Sequence, residues 1–309
     1  FKMKWSDCVQ EARYRLGFDI GGTFTDFVLV DQDAQAVRVH KCLTTPEDPS
    51  VGAITGIESL LVESDLTLAK VGHLVHGTTL VTNAIIERRG AKVGLLTTQG
   101  FRDVLEMGKQ QRYDKHDLFL KFPEPLVPRG LRCEIDERIS RDGDIVKSID
   151  EQKLRDQVSK LVSVGVEAIA VCFLYAYKNP MHERIARDII KALCPDISVS
   201  ISSEVQPEIR EYDRISTTTA NAYVQPLMER YVRHLVEVLS EKGFLGRFHL
   251  TQSSGGLVAP EVAIRFPIRL LESGPAGGAL ASAYFGKRVG MTDVISFDMG
   301  GTTAKACLI

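Results

Sequence analysis

The stretch Phe18-Asp19-Ile20-Gly21-Gly22-Thr23 returns near the other end of the chain as Phe297-Asp298-Met299-Gly300-Gly301-Thr302. The first copy runs on into Phe27-Val28-Leu29-Val30 and the second into Ala306-Cys307-Leu308-Ile309. Each copy reads as a short strand, an Asp, a Gly-Gly hinge, a Thr and a returning strand. One such turn is an ordinary hairpin, since Asp and Gly favour turns. Two copies of the same pattern point to a shared task. Gly lets a backbone approach an anion closely and takes positive φ without strain. Thr23, Thr25, Thr302 and Thr303 offer hydroxyl donors, and Asp19 and Asp298 are suited to holding Mg²⁺ through its waters. Lys305 reads either as a countercharge to phosphate or as a solvated lysine. Two facing copies would suit a metal-bound polyphosphate, and so a nucleotide, held in a cleft.

Working outward, residues 13–18, 24–31 and 36–43 read as a three-stranded meander. Asp48-Pro49 opens a helix with Asp as N-cap, and Val51, Ile54, Ile57, Leu60 and Leu61 form its apolar stripe. A strand at 71–76 leads through His76-Gly77-Thr78-Thr79 into a helix over 79–88, and 92–97 is again strand-like. Residues 108–131 hold Pro123, Pro125 and Pro128 and read as a long loop, which is more often functional than filler. From Asp150, which caps the next helix, helices and strands alternate: a strand at 167–173, a helix opened by Asn179-Pro180, and a strand at 197–201. Residues 208–242 form the longest helical pattern, and Pro226 is expected to kink or split it. A strand at 247–252, the turn Ser253-Ser254-Gly255-Gly256 and a small-residue helix over 275–287 precede the repeated turn. Alternating strands and helices predict an α/β layered fold.

The chain has 309 residues, 44% hydrophobic and 25% charged, with net charge −2. That balance implies neither a nucleic-acid surface nor an acidic-lipid surface, and no apolar run is long enough to span a bilayer. The stretch Phe1-Lys2-Met3-Lys4-Trp5-Ser6-Asp7 is too polar for a secretory signal, and its start reads as trimmed or appended. Six cysteines contain no C-x-x-C pair; they read as reduced, mostly packed in strands, and consistent with a cytoplasmic protein. There is no G-x-x-x-x-G-K-[ST] phosphate loop and no G-x-G-x-x-G after a strand. Gly274-Pro275-Ala276-Gly277-Gly278 lacks that spacing and reads equally as close helix packing.

The order of these motifs carries a resemblance. The Phe-Asp-x-Gly-Gly-Thr hairpin, an α/β lobe, Glu272-Ser273-Gly274-Pro275-Ala276-Gly277-Gly278-Ala279 and the second hairpin together resemble the superfamily of sugar kinases, heat-shock chaperone ATPases and actin. More narrowly, the chain is similar to the ATP-dependent hydantoinase/5-oxoprolinase family, which includes subunits of acetone and acetophenone carboxylases. The stretches that carry this are Gly21–Asp26, His76–Thr79 with Thr82-Asn83-Ala84, Thr97–Asp103, Arg210-Glu211-Tyr212, Ser216-Thr217-Thr218, Asn221-Ala222-Tyr223 and Gln252–Gly256.

The resemblance implies an actin-like (ribonuclease H-like) α/β ATPase lobe with β-hairpin phosphate loops. It divides the chain into an N-terminal extension (1–14), an N-terminal lobe (15–205) and the start of a hydantoinase A domain (206–309). It implies ATP and Mg²⁺ as cofactors, with Asp19 and Asp298 on the metal and Gly21, Gly22, Thr23, Thr25, Gly300, Gly301, Thr302, Thr303 and Lys305 on phosphate. Glu272 is expected on metal-bound water or as a general base, the alternative being a Glu favoured at a helix N-terminus. His76 reads first as a structural residue and second as a cleft residue, and the resemblance adds Thr78, Thr79 and Asn83 as substrate contacts. Glu106, Arg112 and Asp114 either touch substrate or belong to a solvated loop; Arg210 and Glu211 read as an interlobe ion pair. The implied reaction is phosphorylation of a cyclic amide oxygen followed by ring hydrolysis. The alternatives are ketone carboxylation, or a non-catalytic nucleotide-gated module. Relatives continue well beyond the second hairpin. The chain is therefore expected to be a fragment or subunit with a truncated second lobe, completed by a C-terminal domain or a hydantoinase B-type partner, and inactive alone. The terminal hairpin would be an edge with Cys307, Leu308 and Ile309 in need of cover.

Overall fold

A computed structural model of the chain describes residues 13–45, 47–109, 111–112, 114–299 and 304–309. In chain order the elements begin with β1 (Tyr14–Ile20), β2 (Phe24–Asp31), β3 (Ala36–Leu43), α1 (Pro49–Glu63), β4 (Val71–Thr78), α2 (Leu80–Ile86), β5 (Val93–Thr98) and α3 (Val104–Met107). Next come β6 (Arg132–Ile135), β7 (Arg138–Ile139), β8 (Ile145–Lys147), α4 (Glu151–Ser163), β9 (Ala168–Cys172), α5 (Met181–Leu193), β10 (Ser198–Ile201) and α6 (Ser202–Val205). The last are α7 (Glu211–Glu241), β11 (Arg247–Thr251), β12 (Leu257–Val258), α8 (Pro260–Arg265), α9 (Ser273–Arg288), β13 (Ile295–Met299) and β14 (Ala304–Leu308). The described residues form two units, one of 13–83 with 228–309 and one of 84–227. None of the described helices is long and apolar enough to cross a membrane.

The first unit is built on a six-stranded mixed sheet in the order β12-β11-β4-β1-β2-β3. Strands β1, β2 and β3 pair antiparallel, whereas β4 runs parallel to both β1 and β11. Period-2 alternation divides the side chains between the faces. Leu16, Phe18, Ile20, Phe27, Leu29 and Leu74 are all buried, on one face. Asp48 starts α1 by accepting a hydrogen bond from the Ser50 amide at 3.0 Å. The helix buries Ala53, Ile54, Ile57, Leu60 and Leu61; Val51, expected in that stripe, is 52% exposed. Gly56 lets α1 approach the sheet, since a Cβ there would lie 2.2 Å from the Phe27 ring. Strands β13 and β14 form a separate antiparallel pair, with Phe297 and Leu308 65% and 86% exposed.

The second unit holds a parallel sheet in the order β10-β9-β5-β6. Every residue of β5 and β9 is buried, as expected of strands covered on both faces. Asp150 caps α4 by accepting from the Lys153 amide at 2.9 Å. Leu154, Val158 and Leu161 of α4 and Ala186, Ile189 and Ile190 of α5 join the core around Ile169, Val171 and Phe173. The short strands β6, β7 and β8 have two to four residues each, too few for a periodic signal. Helix α7 runs unbroken for 31 residues through Pro226. Proline removes one backbone hydrogen bond there, yet Ala222, Val224, Met228, Val232 and Leu235 are all buried along the helix and hold it together. Cys42, Cys133, Cys172, Cys194 and Cys307 are free thiols, with Cys194 at the end of α5 rather than in a strand.

Candidate functional site

The sheet of the first unit has a second face, opposite its core. Gly17, Asp19, Asp26, Val28, Val39, Lys41, Val75 and Gly77 line a cavity of about 870 Å³ together with Ser273, Gly274, Gly277 and Gly278 of α9 and Asp298 of β13. The register explains which residues reach it. Asp19 lies opposite Asp26 on β2 and opposite Gly77 on β4, so the three share the cavity face.

Asp19 sits at the floor. Its Oδ1 is buried without a hydrogen-bond partner. Burial, then the nearby Asp26 and Asp298 carboxylates, push its pKa upward, and Lys305 opposes them. Gly77 makes the space: a Cβ there would fall 2.5 Å from Asp19 Oδ1. Asp26 is held by Lys41 at 3.0 Å. The turn after Asp19 closes with the Gly21 amide donating to the Phe24 carbonyl at 3.0 Å, leaving Gly22 and Thr23 exposed at the tip.

Across the cavity, Asp298 pairs with Lys305 in the register of the second hairpin, and Lys305 reaches Glu272 Oε2 at 2.9 Å. Glu272 immediately precedes α9, and its amide donates to Ser253 Oγ at 3.0 Å. Ser273, the first residue of α9, donates to the Thr78 carbonyl at 3.0 Å, and Thr82 Oγ1 donates to the Leu271 carbonyl. These bonds fix the α9 N-terminus at the cavity. First-turn amides lack intrahelical acceptors and carry the positive end of the helix dipole. An unpartnered buried carboxylate oxygen, a floor that admits no Cβ, and a helix N-terminus fit a hydrated divalent cation bound to a polyphosphate. Among the described residues no three His, Cys, Asp or Glu side chains converge to cage a metal directly.

Several residues expected on the cavity face elsewhere. Thr25 is fully buried and bonds Thr44 Oγ1 at 3.0 Å; Thr44 donates to the Gly21 carbonyl at 2.9 Å. Thr25 thus braces the turn from behind instead of facing phosphate. His76 is fully buried. It stacks on Phe18 with ring centroids 4.2 Å apart and meets the Tyr231 hydroxyl at 2.8 Å through Nε2 and the Phe18 carbonyl at 3.4 Å through Nδ1. It therefore takes the structural role rather than the substrate role, and burial lowers its pKa to about 3. Thr78 is buried and accepts from the Leu80 amide at 3.1 Å. Thr79 Oγ1 donates to the Ile20 carbonyl at 3.1 Å, and Asn83 donates to Thr79 Oγ1 at 3.4 Å, so both support the first hairpin from inside. In the second unit, Arg112 donates to the Asp117 carbonyl at 2.6 Å and Asp114 accepts from the His116 amide at 2.8 Å, each satisfied within its loop. Glu106 pairs with Arg132 at 3.1 Å. Arg210 and Glu211 make no ion pair among the described residues. Gly300, Gly301, Thr302 and Thr303 lie outside the described residues. Gly77 and Asp26 were not singled out from sequence, although both share the strand parity of Asp19.

Fold and cavity together define an α/β protein with an acid-lined, glycine-floored cleft. Residues 15–194 match the hydantoinase/oxoprolinase N-terminal region and residues 214–309 match hydantoinase/oxoprolinase, so the chain belongs to the hydantoinase/oxoprolinase family. It is 45% identical over 299 residues to an uncharacterized protein of Methanocaldococcus jannaschii, covering 96% of this chain and 43% of that one. It is 37% identical over 302 residues to the caprolactamase subunit alpha of Pseudomonas jessenii, again over 96% and 43%. The crystal structure of the ATP-dependent caprolactamase from that organism superposes with a TM-score of 0.85 at 36% identity, over 95% of this chain and 43% of the other. The nucleotide-free structure of acetone carboxylase, from work on ATP-dependent acetone carboxylation, gives 0.85 at 30% identity over 96% and 44%. The α/β fold is that of these structures, and the chain spans less than half the length of the proteins it matches.

Proposed function

We propose that the cleft binds ATP with Mg²⁺, and that the chain takes part in ATP-dependent hydrolysis of a cyclic amide such as a lactam or hydantoin. The observation that carries this reading is the buried, unpartnered Asp19 carboxylate oxygen above Gly77, facing Asp298 and the start of α9. Bound ATP would supply the γ-phosphoryl group that activates the amide oxygen with loss of ADP; water would then add to the ring carbon, the C–N bond would break, and the phosphoryl group would leave as inorganic phosphate. Within this scheme Asp19 and Asp298 would hold the hydrated cation. Gly21, Gly22 and Thr23 would bind the phosphates, and by the sequence repeat Gly300, Gly301, Thr302 and Thr303 would do the same. Lys305, paired with Glu272 at 2.9 Å, would supply positive charge to the phosphates, and Glu272 would then be free to orient or deprotonate water.

The likeness to the caprolactamase favours a cyclic amide. A ketone carboxylase subunit is the second reading, favoured by the TM-score of 0.85 to acetone carboxylase. Either activity would be shared with a C-terminal region or a hydantoinase B-type companion subunit. The test is ADP release by the chain expressed together with such a region and companion. Caprolactam, a hydantoin and 5-oxoproline form one arm, and acetone plus bicarbonate the other. Lactam-dependent ADP release that Asp19→Ala and Asp298→Ala each abolish is the expected result. Undiminished turnover in either variant contradicts the site, and ketone-dependent release alone contradicts the substrate class.

A further inference from the structure

We propose that His76, held by Tyr231 of α7, is a positioning residue for the cleft: it touches no ligand and fixes Asp19 over Gly77. This role rests on the reading of the cleft as an Mg-ATP site. His76 lies opposite Phe18 and immediately precedes Gly77, which lies opposite Asp19. Its Nδ1 meets the Phe18 carbonyl at 3.4 Å, and that carbonyl belongs to the peptide whose nitrogen is Asp19's own. One buried ring therefore grips both strands a single residue before the site. Its backbone carries Gly77, and its side chain meets the peptide that carries Asp19. Little slack exists between them, since a Cβ on Gly77 would fall 2.5 Å from Asp19 Oδ1. Binding sites need their polar groups held to within about 0.5 Å, so a small slip of β4 along β1 would misplace the carboxylate.

The ring is itself fixed from several directions. Strand β4 lies between β1 and β11, and an aromatic side chain reaches His76 from each. Phe18 of β1 stacks on it with centroids 4.2 Å apart and planes 12° apart. Phe248 of β11 lies 6.3 Å away at 16°. Tyr231 meets Nε2 at 2.8 Å, and both partners of that bond are buried. Packing alone asks for no polar ring here. A phenylalanine would fill the space with nothing to satisfy, whereas a buried imidazole and phenol are costly unless paired. Replacing both partners by apolar groups of similar shape is often neutral or stabilising. What the pair adds is direction, because a satisfied buried hydrogen bond specifies one arrangement of the groups that make it.

The test separates affinity from stability. His76→Phe/Tyr231→Phe removes both polar contacts and keeps the volume, so its unfolding midpoint should match or exceed that of wild type. Its Mg-ATP affinity, read by calorimetric titration, should nevertheless fall about fivefold or more. His76→Asn keeps a donor where Nδ1 stands but leaves a void; it should be less stable than the double variant and bind Mg-ATP more tightly. Leu74→Val, a void in the same strand two residues away, should lower the midpoint and leave affinity unchanged. A ligand-free readout comes from protein labelled at the aspartate carboxyl carbons. The resonance lost in Asp19→Asn should shift in the double variant and stay in place in Leu74→Val. If the double variant does not fold, Tyr231→Phe alone carries the test, with an affinity loss of about twofold or more and the same resonance shifted. Affinity equal to wild type, affinity that falls only in step with the midpoint across the set, or an Asp19 resonance unmoved while affinity is lost would each overturn the proposal. A wild type that binds no Mg-ATP would overturn the reading of the cleft and this role with it; binding that wild type and variants share overturns the role alone.

Discussion

His76 and Asp19 sit within one residue's register of each other and obey opposite physical demands. Phe18 lies opposite His76, whereas Asp19 lies opposite Gly77. His76 points into the core, where burial holds its pKa near 3, below the ordinary 6.5. It is neutral there, and its two contacts assign the proton to Nδ1, with Nε2 accepting from Tyr231. A histidine whose folded pKa is depressed contributes no pH dependence above the unfolded value. Below it the unfolded chain binds a proton that the folded chain refuses, so stability falls as pH drops from about 6.5 toward 3. In urea unfolding over that window, wild type should lose up to about 1.4 kcal/mol per pH unit more than His76→Gln, which keeps an acceptor and cannot titrate. Equal slopes for the two proteins would contradict the buried, neutral assignment.

At the scale of elements, a strand pair, a parallel neighbour and one helix N-terminus make the cleft. Gly77 on β4 is the position where packing and site meet, because its missing Cβ is the space occupied by the Asp19 carboxylate. Gly77→Ala should displace that carboxylate, weaken Mg-ATP binding by at least tenfold, and cost about 1–3 kcal/mol of stability, as overpacking does. Unchanged affinity would show that Asp19 is not held for a ligand. The hairpins, α1, α4, α9 and the strand–helix alternation were legible in the sequence, because caps, glycine turns and apolar periodicity are local signals. The inward turn of Thr25, His76 and Thr78 was not. It follows from sheet parity, which puts the even-numbered residues of β4 from Leu74 onward with Phe18 and the odd-numbered ones with Asp19; reading His76-Gly77-Thr78 in that alternation would have exchanged His76 for Gly77. Helix α7 continues through Pro226 because burial along its length outweighs one lost hydrogen bond, which no local rule reports. The strands β6 to β8 are too short to carry a period.

At the scale of the molecule, the two units divide the chemistry. The first holds both glycine-turn hairpins and the acidic cleft; the second holds a parallel sheet stabilised by buried polar networks. In that second core Glu183 accepts from the Phe173 and Ser203 amides at 2.9 and 2.8 Å, and Glu137 meets His182 at 2.7 Å. Such networks hold loops in single conformations when every member is satisfied. The chain matches 43% of the length of the caprolactamase alpha subunit, and the turnover we propose is for the chain together with a further region or companion subunit. Nucleotide binding is what we propose for residues this chain carries at both hairpins, and it is the claim on which the rest of the proposal depends. The most direct measurement is calorimetric titration of ATP into the chain, with and without Mg²⁺, for wild type, Asp19→Asn and Asp298→Asn. The account predicts Mg²⁺-dependent binding by wild type, weakened at least tenfold, or about 1.4 kcal/mol, in each variant. Binding that is indifferent to Mg²⁺ and equal in all three proteins would contradict it.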